Sequence, residues 1–222
     1  MTAVRLPDDL RKRVLEAASR EPSPNRASVQ RSTVLVSAAA VIGGVALFFA
    51  VGGVKLGARP TEVVALTAAG WLIIALAATW GAFGRGRSML GRPVGWLLVV
   101  ALATAPTFLL WFLMWTMMRP EASTPLPSLG IHLACFVMTI LFSLSPLAAF
   151  AVARHGSDPV QPRATGAALG AAAGAWAGVM IDLHCPVSAS AHVIFGHLAP
   201  IVVLAIAGAW LGRRVLGIRI RP

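Results

Sequence analysis

Six apolar stretches, each with an interior free of Asp, Glu, Lys and Arg, dominate this chain: residues 33–54, 62–83, 94–116, 130–152, 164–181 and 192–212. Each approaches the roughly 20 residues that a helix needs to cross a hydrocarbon core. Lipid offers a backbone no hydrogen bonds, so uncharged segments of this length are predicted to be helices. With 57% hydrophobic and only 12% charged residues, 222 residues carry more apolar surface than one soluble core can hide. The expected fold class is all-α, a polytopic membrane bundle of six transmembrane helices. The first stretch follows 32 mostly polar residues and, at about 21 residues, is too long for the apolar part of a cleavable signal. It is expected to stay as an anchor.

A formal charge of +11 would direct a soluble protein toward nucleic acid, but here the basic residues lie between and beyond the apolar stretches. Of the 19 Lys and Arg residues, 16 fall in the N-terminal tail, the second and fourth loops and the C-terminal tail. That bias predicts that both termini are cytoplasmic, and direct contact with nucleic acid is not expected. Trp80, Trp96 and Trp210 then fall at inward ends, and Trp111 and Trp115 toward an outward one, as interfacial rings prefer. The expected organisation is a cytoplasmic tail over 1–32, a transmembrane domain over 33–212 and a basic tail over 213–222. The connections leave no room for a soluble domain.

Charge-free interiors argue against a pump or ion-coupled carrier, which needs ionisable groups along its path. Pro106, Pro146 and Pro200 read as kinks that shape packing, although a proline also frees a backbone carbonyl inside a helix. In the fifth stretch Gly166, Gly170, Gly174 and Gly178 recur every fourth residue, a ridge on which another backbone can lie closely. A tight contact within the bundle is the plain reading of this ridge, and a homodimer seam or movable interface is the functional one.

In the tail, Pro7 with Asp8 and Asp9 starts a helix and Glu21-Pro-Ser-Pro24 stops it. Leu6, Leu10 and Val14 fall on one side with Leu15 at its edge, which makes a short amphipathic helix. A helix of this length is marginal alone, so its apolar stripe must lie on a membrane surface or in a protein groove.

The two cysteines and four of the five histidines gather near outward ends. His132 and Cys135 share a face of the fourth span, Asp182, His184 and Cys185 fall in the loop after the fifth, and His192 and His197 open the sixth. Three chemistries are open besides plain packing. A transient soft metal ion would take Cys135, Cys185 and His184 as ligands with His132 beside them. The thiols form a disulfide in an oxidising compartment, or cycle with oxidants. No CxxC, HExxH, Ser/His/Asp set, phosphate loop or carboxylate pair is present, and an enzyme is not expected.

The six-span plan, Leu183-His184-Cys185-Pro186 after an Ala/Gly-rich helix, Cys135 one span earlier and the terminal Leu211-Gly-Arg-Arg214 together resemble the NrsF-type membrane anti-sigma factors. The resemblance spans all six stretches and is firmest from Gly130 onward, although Val187 to Ser190 lacks the acidic residue of relatives. It implies a bacterial inner-membrane protein that holds an extracytoplasmic-function sigma factor and releases it on an envelope signal. Cys135 and Cys185 would be the signal pair, with His132 and His184 as helpers. Leu6, Leu10, Val14 and Leu15 are the expected sigma-facing anchors. From other classes, a small transporter for metal or thiol compounds would use the outward Cys/His set for capture, and a membrane thiol oxidoreductase would need a CxxC that is absent.

Overall fold

The computed structural model describes residues 26–55, 59–83, 92–118, 125–154 and 160–217, together with Asp9, Lys12, Arg13 and Glu16. Two compact units divide the chain, Met1–Leu35 and Val36–Pro222. In the first, Asp9, Lys12, Arg13 and Glu16 are helical and exposed. The expected anchors Leu6, Leu10, Val14 and Leu15 lie outside the described residues.

Every described element is helical: α1 (Arg26–Ala50), α2 (Thr61–Phe83), α3 (Val94–Met118), α4 (Leu129–Ala153), α5 (Pro162–His184), the single turn α6 (Ser190–Val193), a π turn (Ile194–Leu198) and α7 (Ala199–Val215). Five of the resulting helices, counting Ser190–Val215 as one, are long and apolar enough to cross a membrane, and Val34–Ala50 within α1 is a shorter apolar helix. This is a helical membrane bundle, as the charge-free stretches imply. Prolines set several starts: Pro60 and Pro93 accept the first backbone bonds of α2 and α3, and Pro162 opens α5. At the end of α1, Gly52 (φ 111°) and Gly53 (φ 60°) take left-handed conformations. Their N–H groups bond back to the Phe49 and Phe48 carbonyls in a Schellman turn, which a Cβ would strain.

Helix α5 sits at the centre, packed against α7, α2, α4 and α3. Of its 23 residues 17 are buried, although it is the least hydrophobic of the five long helices. In lipid this inversion is physical: apolar side chains gain nothing by leaving an apolar solvent, so small residues that admit close backbone contact take the centre. Many large side chains face outward, with Leu102, Leu110, Ile73 and Phe49 all strongly exposed, while Trp71, Phe108, Phe112 and Phe142 fill the interior.

The glycine ridge is filled from inside the bundle. A Cβ on Gly166 or Gly170 would overlap the Gly208 or Leu204 carbonyl of α7, Gly174 faces Ile201, and Gly178 lies under the Trp71 ring. Gly208 and Gly212 answer from α7 against Gly166 and Pro162, so this face is not open to a second copy. Trp71 in turn stacks on Phe108 at 3.6 Å between centroids.

Two boundaries differ from expectation in ways that matter. First, α1 begins at Arg26, seven residues before the first apolar stretch, because nothing after Pro24 opposes a helix. Second, α5 runs on to His184, so Asp182 and His184 belong to a helix and not to a loop. Cys185 turns extended (φ −85°, ψ 121°) because the following Pro186 excludes the helical conformation.

Candidate functional site

Two buried polar groupings flank the end of α5 that carries His184. The first is an ion pair that the charge-free stretches did not foretell. Arg59, from the α1–α2 connection, reaches Asp182: its Nη1 donates to Oδ1 at 3.2 Å and its Nη2 to the Asp182 carbonyl. Thr67 of α2 donates its hydroxyl to Oδ2 at 2.7 Å. Both carboxylate oxygens are thus satisfied, with Arg59 4% and Asp182 1% exposed. Lys55 N–H donates to the Leu183 carbonyl at 3.0 Å, which ties the same connection to α5.

The second grouping is the Cys/His cluster. Cys135 comes from α4, Cys185 follows α5, His192 lies in α6 and His197 in the π turn, and their ligand atoms all lie within 4.8 Å of one another. The two sulfurs are 3.5 Å apart and unbonded. His192 Nε2 lies 3.2 Å from Cys185 Sγ, and its Nδ1 lies 3.2 Å from Nδ1 of the half-buried His132. Both ring nitrogens of His197 are buried without a hydrogen-bond partner. A hydrogen bond from the Cys135 thiol holds the Cys185 pKa below the ordinary thiol range; burial opposes this, and the His192 and His197 rings reinforce it.

The π turn is what lets two histidines five residues apart serve one site. In a straight α-helix they would point about 140° apart, whereas a π turn has room for one more residue and aligns them. Its cause lies in the sequence: Pro200 has no N–H to offer the Gly196 carbonyl four residues earlier, and its ring crowds that carbonyl. The helix widens, the Ala199 N–H bonds to Ile194 O, and Thr139 of α4 lies with its hydroxyl 2.9 Å from the stranded Gly196 carbonyl. Gly196 itself admits α4, since a Cβ there would stand 3.1 Å from the Cys135 Cβ.

Of the residues expected at this site, Cys135, Cys185 and His132 are together. His184 is elsewhere: its Nδ1 lies 2.9 Å from the Gly53 carbonyl, and its ring meets Phe48 and Phe142 edge-on at 6.4 Å. It packs against the same buried cluster that holds Cys135 and Cys185 but turns toward the end of α1, and the imidazoles beside the two sulfurs are His192 and His197. Helical spacing alone gives no sign of His197; the signal was Pro200, four residues after Gly196.

Two sulfurs and two imidazoles at this spacing suit a soft or borderline metal ion, and the stranded nitrogens of His197 would gain a partner from one. The same sulfurs are near enough to be oxidised together. No curated protein and no solved structure matches the chain. A protein-family model described as NrsF, negative regulator of sigma F, matches residues 17–217, so nearly the whole bundle described above is included. This chain belongs to the NrsF family, the negative regulators of sigma F.

Proposed function

We propose that this protein is an inner-membrane anti-sigma factor that sequesters an extracytoplasmic-function sigma factor through its cytoplasmic N-terminal segment. It releases that partner when an envelope signal, a soft metal ion, engages Cys135, Cys185, His192 and His197. The observation that carries the reading is the convergence of these four donors, one of them with no internal partner. His184, next to Cys185, is bonded to the turn that ends α1, and α1 leads back to the tail. Drawing Cys185 into a ligand set would pull on that turn. A near-complete switch requires the ion to favour the releasing state by about 5.5 kcal/mol.

Oxidation is the second reading, favoured by the 3.5 Å separation of the sulfurs. A transport path is not supported, since among the described residues the buried charged side chains are Arg59 and Asp182, paired at one end. The test is co-purification of the full chain with the sigma factor encoded beside it. The expected result is a complex that dissociates on adding Cd2+, or on adding a thiol oxidant if the second reading holds. Absence of any complex would sink the proposal.

A further inference from the structure

We infer that the groove between the start of α5 and the end of α7 binds an anionic phospholipid with two phosphates, of the diphosphatidylglycerol type. The glycine seam brings these ends together, with Gly212 against the Pro162 carbonyl, and so sets Arg163 beside Arg213 and Arg214. Two cavities result. One of about 400 Å³ is lined by Val160, Gln161, Pro162, Arg163 and Arg213, and one of about 340 Å³ by Arg163, Trp210, Arg213 and Arg214. They share Arg163 and Arg213, and no acidic side chain lines either among the described residues.

Charge here is arranged against itself. Arg163 stands in the first turn of α5, where the helix macrodipole is already positive and which carries no acidic residue. An anion removes that conflict, and two adjoining basic cavities match two phosphates better than one. Lipid is favoured over a soluble anion by what lies beside the groove. Trp210 sits 4.4 Å from the Arg214 guanidinium, a pairing suited to the headgroup level of a bilayer. One and two turns further into the span, Ile206 and Val202 extend the exposed face of Trp210 into an apolar stripe along which acyl chains can lie. Basic pockets between transmembrane helices are known to hold such headgroups.

The test is native mass spectrometry of the full-length protein, delipidated in detergent and offered equal amounts of diphosphatidylglycerol, phosphatidylglycerol and phosphatidylethanolamine. The expected result is selective retention of diphosphatidylglycerol, weakened about fivefold by Arg163→Gln or Arg213→Gln. Arg92→Gln, at the same end but stacked over Trp80 and Trp96, should leave retention unchanged. Lack of selectivity in the wild-type chain overturns the proposal without recourse to any variant. So does an equal loss in Arg92→Gln, which would mean general basic attraction. Displacement of the lipid by equimolar inorganic pyrophosphate would point to a soluble-anion site and overturn it as well.

Discussion

Asp182 and Cys185 are three residues apart, yet they belong to buried polar groupings of opposite character. Around Asp182 every carboxylate oxygen has a donor, Arg59 or Thr67. Around Cys185 the donors outnumber their internal partners, and His197 has none for either nitrogen. The grouping around Asp182, in which Arg59 Nε alone lacks a partner, works as a strut that pins the α1–α2 connection to α5. The unsatisfied one can gain from an added ligand, which is what an input site requires. On the proposed function, fold and responsiveness would rest on neighbouring but separable residues.

The largest effect is expected at the strut. Asp182→Ala leaves Arg59 buried without its counter-charge and should destabilise the bundle by about 3–5 kcal/mol. Thermal unfolding in detergent measures this, and the double change Arg59→Met with Asp182→Leu should recover most of the loss. A single variant as stable as the wild type would erase the distinction between the groupings. His197→Ala should act in the opposite way. It removes two stranded nitrogens along with some ring packing, so stability should change by about 1 kcal/mol or less while metal binding is lost.

Smaller effects sharpen the internal order of the cluster. His132→Ala removes the group that orients His192 and should weaken metal binding about tenfold without abolishing it, as read by competition with a chelator. Smallest is a pH signature. Because the Cys185 pKa is lowered, its thiolate persists further as pH falls, so relative alkylation of Cys185 should drop less between about pH 8 and about pH 6 than that of an ordinary thiol. A thiol of ordinary pKa, about 8.5, would lose labelling steeply over that window.

Much of the fold was legible because lipid imposes a length and a charge rule that can be read residue by residue. All six apolar stretches correspond to helices, and the glycine spacing marked the face where α7 lies. Two things were hidden. Charge places a helix end before Asp182, yet Arg59 makes that residue compatible with burial in the helix, and no local pattern links residues so far apart. His184 looked like the ligand because it adjoins Cys185, but adjacency at a helix end does not fix direction. The spacing of His192 and His197 does not put them on one face of a straight helix, so sequence alone does not pair them. Pro200 does more than kink the helix: it strands the Gly196 carbonyl and realigns the two histidines.

On the proposed function, Cys135, Cys185, His192 and His197, and not His184, form the input that frees the sigma factor. The direct measurement is sigma-factor release from the purified full-length complex, reduced and titrated with Cd2+ against a Mg2+ control, for the wild type, His197→Ala and His184→Ala. The expected outcome is one Cd2+ bound per chain in the wild type and in His184→Ala, release in the wild type, and neither binding nor release in His197→Ala. Release from His197→Ala at the wild-type Cd2+ concentration, or loss of binding in His184→Ala, would contradict it.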